Sequence, residues 1–183
     1  VAVPVAPRSR RLAEPASTSV PTSAPAFIGL GGNLGDVPAT LASARDALRL
    51  LSGTPLRTSG LYASEPWGET RGPAYVNQVA ALTYAGSPAA LLGALMEIEA
   101  RLGRVRTVPN APRTLDLDLL TFGDHRCDTP DLTLPHPRLH LRRFVLLPWS
   151  ELAPDVTPPG LGRSIRALLA DCPDPGSVWP LSA

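Results

Sequence analysis

The stretch Gly103 to Leu120, GRVRTVPNAPRTLDLDLL, decides both the last turn of this fold and the place of its chemistry. Gly103 closes a helical pattern, and two prolines keep the middle of the stretch out of helix. T-L-D-L-D-L-L then opens a strand expected to span Thr114 to Phe122. Alternate strand residues point the same way, so Asp116 and Asp118 share one face, roughly 7 Å apart. Two carboxylates aimed at one spot, with Arg104, Arg106 and Arg113 close in sequence, suit Mg²⁺ and a polyphosphate. A cation would relieve their mutual repulsion. A solvated strand face of alternating polarity explains the same two aspartates, and D-x-D alone does not separate the readings.

Working outward, Ser87-Pro88 starts the helix that Gly103 ends, a Ser cap with Pro in the first position. Its apolar stripe is Leu91, Leu95, Ile98 and Leu102, and Glu99 lies at the edge of that stripe. Tyr75–Tyr84 and Arg57–Ser64 read as strands, separated by a loop over Glu65–Pro73. Ala26–Leu30 is a short buried strand, and a helix runs from Pro38 to Leu51 with Asp36 as its cap. Between them, G-L-G-G-N-L-G lacks the register of a dinucleotide fingerprint and reads as a tight strand-to-helix turn. Later elements are an extended Thr133–Pro137, a helix over Arg143–Leu152 and a short one over Arg163–Leu169. The order β-α-β-β-α-β predicts a ferredoxin-like α+β sandwich, helices packed on a mainly antiparallel sheet. Residues 1–25, rich in Pro, Ala and Ser, are expected to be a disordered tail, residues 26–172 the folded domain, and 173–183 a C-terminal tail.

The composition narrows the function. At 183 residues and 44% hydrophobic, the chain has enough apolar content for one real core. No run of about 18 apolar residues is present, so a soluble, cytoplasmic protein without membrane contact is expected. A net charge of +1 gives no reason to expect nucleic acid. All 17 basic residues are arginine. The absence of lysine excludes a Walker-type phosphate loop and a Schiff base, and leaves a cation that binds phosphate bidentately. Cys127 and Cys172 are spaced for neither zinc nor a redox pair, so they are expected to be reduced structural thiols.

Two further groups stand out. Tyr75 and Asn77 lie on one strand face, where a ring could stack on a flat heterocycle and an amide bond its edge. His136 is held between two prolines and is followed by Arg138, Arg142, Arg143 and Phe144. A core tyrosine with a satisfied amide, and a surface turn leading into a helix, account for these residues taken singly.

Together the pieces resemble a known family. Phe27–Asp36 is similar to the N-terminal G-[SG]-N-L-G-D stretch of the 6-hydroxymethyl-7,8-dihydropterin pyrophosphokinases. Arg104-Val105-Arg106 with Pro112–Leu120 resembles their signature, and Leu134–Arg138 with Arg142–Pro148 resembles their C-terminal block. The likeness runs in order from about Ala26 to Val156. It implies the ferredoxin-like fold and transfer of pyrophosphate from ATP to a reduced pterin alcohol, releasing AMP, in folate synthesis. By resemblance, Asp116 and Asp118 would hold two Mg²⁺ ions. Arg104, Arg113, His136 and Arg142 would contact the triphosphate, with Arg104 and Arg113 also catalytic, and Glu99 would lie in the nucleotide site. Tyr75 and Phe144 would sandwich the pterin, Asn77 would bond its edge, and backbone groups of Ser64 and Trp67 would complete the pocket. The partners implied are these two small molecules alone, and a monomer is expected.

The chain departs from the family in places. Asn110-Ala111 stands where an aromatic-glycine pair is common, and Met96 replaces a glutamine of some members. The loop between Arg106 and Arg113 is expected to move and close over phosphates. Two rival classes share the D-x-D sheet. A polymerase-palm or cyclase site would lack a pterin pocket, and a non-catalytic binding domain would leave both aspartates idle.

Overall fold

The computed structural model describes residues 23–66, 72–105 and 112–181. Trp67, Arg106, the Thr107–Ala111 loop and the greater part of the expected N-terminal tail lie outside these residues. The elements are β1 (Ser23–Gly32), α1 (Val37–Leu51), β2 (Arg57–Thr58), β3 (Tyr62–Ser64), β4 (Tyr75–Ala85) and α2 (Pro88–Arg101). They continue with β5 (Asp116–Phe122), β6 (Cys127–Asp128), β7 (Thr133–Leu134), α3 (Arg143–Leu152), α4 (Ile165–Ala170) and β8 (Val178–Pro180). The main sheet is antiparallel in the order β5-β1-β4-β3-β8, with β2 paired to β4 beside β3. This places the last strand of the βαββαβ unit beside the first, the expected sandwich.

The period-2 pattern sorts β1 into two faces. Ala26, Ile28 and Leu30 enter a core with Leu41, Ala44 and Leu48 of α1, Leu91, Leu95 and Ile98 of α2, and Leu117 and Leu119 of β5. Asp36 Oδ1 accepts the Ala39 N–H at 3.1 Å and Ser87 Oγ accepts the Ala90 N–H at 3.1 Å, so both helices begin where their cap residues lie. On the opposite face Leu120 and Val79 pack with Leu139, Val145, Leu146 and a fully buried Trp149, whose ring lies 4.8 Å from that of Phe27. Helices α3 and α4 thus add a third layer to the two-layer arrangement expected.

Several expected boundaries shift. The Gly-rich segment is not mainly a turn: Gly29, Gly31 and Gly32 belong to β1, and Gly35, with φ of 72°, turns the chain into α1. The single strand expected over Arg57–Ser64 is broken, because Ser59 Oγ accepts the Val79 N–H at 3.1 Å and the Gly60 N–H turns to the Glu151 carboxylate. Strand β5 opens at Asp116 rather than Thr114. The preceding backbone is tied to the β1–α1 turn, with the Arg113 carbonyl accepting N–H bonds from Asn33 at 2.9 Å and Leu34 at 3.2 Å. Strand β1 begins at Ser23, inside the expected tail. At the other end, Val178–Pro180 pairs with Ser64–Tyr62, so part of the expected C-terminal tail is a sheet strand.

Candidate active site

The site lies on the face of the sheet that α1 and α2 leave uncovered. Cross-strand pairing sets Asp116 beside Gly31 and Asp118 beside Gly29, and Gly31 beside Asn77 on the other side. The two carboxylates of β5 and the amide of β4 therefore stand on either side of a strip of β1 that carries no side chains. An added Cβ at Gly31 would reach 3.2 Å from Asn77 Oδ1. The glycines are the floor of a cavity of about 830 Å³. Every site residue expected from the sequence lines it except Trp67 and Arg106, which are outside the described residues. Pro130 and Asp131 from the β6–β7 turn, and Leu92 and Met96 from α2, complete the wall.

Two parallel sets organise the interior. Arg113 Nη1 lies 3.3 Å from Asp116 Oδ2, and the same guanidinium stands 5.7 Å above the Tyr75 ring. Arg142 Nη1 lies 3.4 Å from Asp118 Oδ2, and its guanidinium stands 5.6 Å from the Phe144 ring. Each set joins a carboxylate to an aromatic face through an arginine. Arg113 Nε is buried and finds no acceptor among the described residues, as suits a donor awaiting an anion.

Arg104 has a different duty. It is ion-paired with Asp116, its Nη1 reaches Glu99 Oε1 at 2.8 Å, and it donates to the Leu115 carbonyl at 3.0 Å. Glu99, only 2% exposed, also accepts the Leu117 N–H at 2.8 Å. The last turn of α2 thereby grips the start of β5 and fixes where Asp116 points. Asn33 does the same from the β1–α1 turn: its Oδ1 accepts the Arg113 N–H at 2.8 Å. Ser64 Oγ accepts from Asn77 Nδ2 at 2.9 Å, orienting the amide.

The electrostatics follow from crowding. The Asp118 carboxyl is raised to about 6, first by burial and then by Asp116, against the pull of Arg142 and Arg113. Its side chain keeps 37% of its surface open, but the carboxyl is set low among protein atoms. His136 is lowered to about 4 by burial, then by Arg142 and Arg138. Its Nδ1 accepts the Arg138 N–H at 3.2 Å, so at neutral pH it is an uncharged ring with its proton on Nε2, 3.9 Å from Asp118 Oδ2. A register shift between Phe27 and Ile28 takes Leu120 out of the β1–β5 ladder, and its carbonyl holds the His136 N–H at 2.9 Å. Burial first, and then the nearby Arg138 and Arg113, lower the tendency of Arg142 to stay charged, while Asp118 and Asp116 oppose them.

Of the residues sequence reading missed, Gly29, Gly31 and Asn33 matter most. The signal was available, because Gly29 and Gly31, at alternate positions on either side of Leu30, mark one bare strand face. Arg143, expected on a surface turn, turns inward, with its N–H and Nε both bonded to Asp174. Arg138, expected on the same surface turn, is exposed there and also lines the cavity. Among the described residues no group of three or more His, Cys, Asp or Glu is arranged to hold a metal unaided. No described helix is long and apolar enough to cross a membrane.

Comparison with known proteins is consistent along the whole domain. A family model described as 7,8-dihydro-6-hydroxymethylpterin-pyrophosphokinase (HPPK) matches residues 27–154. Two similar curated proteins are named 2-amino-4-hydroxy-6-hydroxymethyldihydropteridine pyrophosphokinase. The one from Synechocystis is 41% identical over 86% of this chain and 80% of its own length. The one from Pseudomonas aeruginosa is 44% identical over 82% and 93%. Among solved structures, wild-type Plasmodium falciparum HPPK-DHPS with pteroate matches with a TM-score of 0.66 at 14% identity. That match covers 81% of this chain but 44% of the longer one, and it bears on the fold.

Proposed function

This chain belongs to the 7,8-dihydro-6-hydroxymethylpterin-pyrophosphokinase family, and from that premise we propose how its side chains divide the work. The reaction moves pyrophosphate from ATP to the hydroxymethyl group of 6-hydroxymethyl-7,8-dihydropterin, in folate biosynthesis. The alcohol oxygen forms a bond to the β-phosphorus and releases its proton to solvent, the bond from that phosphorus to the α–β bridging oxygen breaks, and AMP leaves with the electron pair. Such a transfer demands positioning and charge neutralisation more than covalent help.

The observation that carries the assignment of roles is the pair of carboxylate–arginine–ring sets above a glycine floor. In this reading Tyr75 and Phe144 take the two faces of the pterin, and Asn77, held by Ser64, bonds its edge. The backbone of Ser64 and of Trp67 completes that half. Arg113 and Arg142 bind phosphate oxygens from the ring side, and His136 donates its Nε2 proton to another. Arg104 serves the nucleotide half by holding Asp116, and Glu99 acts in the same half through Arg104.

Asp116 and Asp118 fit Mg²⁺. They offer hard oxygen donors on one face, open space over Gly29 and Gly31, and a repulsion that raises Asp118. Two carboxylates are too few for a closed metal cage, which suits an ion that keeps waters and borrows phosphate oxygens. Two ions are proposed, which Asp116 and Asp118 would hold on the nucleotide side of the cavity. When bound, Mg²⁺ supplies charge for the phosphate oxygens and acidifies the attacking alcohol. The same reading has the chain act as a cytoplasmic monomer, without nucleic acid.

The test is AMP release from ATP and 6-hydroxymethyl-7,8-dihydropterin with Mg²⁺. Asp116→Ala or Asp118→Ala should lower turnover about 10³-fold or more with the fold kept. A near-normal rate in Asp118→Ala would remove the metal assignment.

A further inference from the structure

We propose that Asp174 is a positioning residue for the pterin side of this reaction: it starts the helix that presents Phe144 and anchors the segment that walls the pocket. The proposal rests on the reading of Tyr75, Asn77 and Phe144 as the pterin site. Helix α3 begins without a cap of its own. Its N-cap residue is Arg142, which makes no capping bond through its side chain, and its first turn holds no acidic residue. The acceptor comes from Asp174, whose Oδ2 takes the Arg143 N–H at 3.0 Å. A carboxylate at that position offsets both an orphan N–H and the positive end of the helix.

The rest of Asp174 is equally committed. It is 7% exposed, its Oδ1 accepts the Gly176 N–H at 3.0 Å, and its carbonyl accepts Arg143 Nε–H at 3.1 Å. A buried carboxylate survives only where N–H groups replace its water, and here they come from α3 and from the segment's own turn. Beyond it, the Ser177 N–H donates to Glu65 Oε2 at 3.2 Å and the Ser177 carbonyl accepts the Glu65 N–H at 3.3 Å. Val178 then pairs with Ser64. The segment therefore ties the Ser64–Glu65 wall to the helix start that carries Phe144. A second cavity of about 570 Å³ lies against it and shares Ser64, Glu65 and Phe144 with the larger one. Loss of the Asp174 bonds would let α3's first turn and this outer wall separate. Asp116, Arg104 and Arg113 are held by other contacts, and Arg142, though next to the loosened turn, keeps its ion pair with Asp118, so the nucleotide half would stay in place.

The experiment measures KM for each substrate, and pterin binding by calorimetry in the presence of Mg²⁺ and a non-hydrolysable ATP analogue. Asp174→Ala should raise the pterin KM and Kd roughly five- to tenfold, the effect of a lost cap, while KM for ATP stays within about twofold. Asp174→Asn keeps one acceptor and should fall between. Gly176→Ala would place a Cβ 3.0 Å from Asp174 Oδ1 and should reproduce the pterin-selective loss. It carries the test with Asp174→Asn if Asp174→Ala fails to fold by circular dichroism. An unchanged pterin KM, or equal rises for both substrates, overturns the proposal. Phe144→Ala separates the two readings. If it weakens pterin binding while the Asp174 and Gly176 variants do not, the positioning role falls and the site stands. If Phe144→Ala leaves pterin binding intact, the site reading falls, and the proposal falls with it.

Discussion

Asp118 and His136 meet across 3.9 Å with their ionisations moved in opposite directions. A carboxyl raised to about 6 binds its proton more tightly in the folded chain, so its contribution to stability grows as pH falls from about 6 towards 3.8. An imidazole lowered to about 4 is protonated first in the unfolded chain, so its contribution is lost as pH falls from 6.5 through 4. The windows overlap and the two slopes oppose. Asp118→Asn should accordingly stabilise the metal-free protein most at pH 7, with the gain shrinking on acidification. Urea unfolding of variant and wild type at several pH values measures this, and a gain that grows towards pH 4 contradicts the raised carboxyl. If Asp118 holds Mg²⁺ as proposed, the ion competes with the same proton, and Mg²⁺-dependent nucleotide binding should weaken as pH drops below about 6.

At the scale of the element, β1 does two jobs with one sequence. Its Ala26, Ile28 and Leu30 face the core, and Gly29 and Gly31 leave the opposite face bare. The glycines are not equivalent. At Gly32 a Cβ would stand 2.5 Å from the Thr114 carbonyl oxygen, which is backbone and cannot yield cheaply. Gly32→Ala should cost about 1–3 kcal/mol, read as a lower thermal midpoint. At Gly31 the obstacle is the Asn77 amide, a side chain. Gly31→Ala should therefore keep the midpoint near wild type and weaken pterin binding by displacing that amide. Helix α2 is the plainer case: Ser87→Ala removes a cap bond and should cost about 1 kcal/mol with the site unaffected.

At the scale of the whole molecule, the described residues form three layers with the main sheet in the middle, and the candidate site's face is shaped by the layer that carries α3 and α4. Among the described residues Trp149 is the largest fully buried side chain, and it seals that layer against Phe27. Trp149→Ala should cost about 3–5 kcal/mol, lowering the urea midpoint, and should loosen the pocket as well. The sequence alone determined the order and type of the main elements, since caps such as Ser87-Pro88 and the 3.6 and 2.0 periods of apolar residues act over a few positions. It also placed Asp116 and Asp118 on one face, because strand alternation is local. The tertiary structure decided the rest. Which strand lies beside β5, what covers the site face, how Glu99 and Asn33 hold the carboxylates' supports, and that Asp174 caps a helix 31 residues away are contacts between distant segments. Such contacts form where buried faces and unmatched polar groups find partners across the fold, and no local pattern records them.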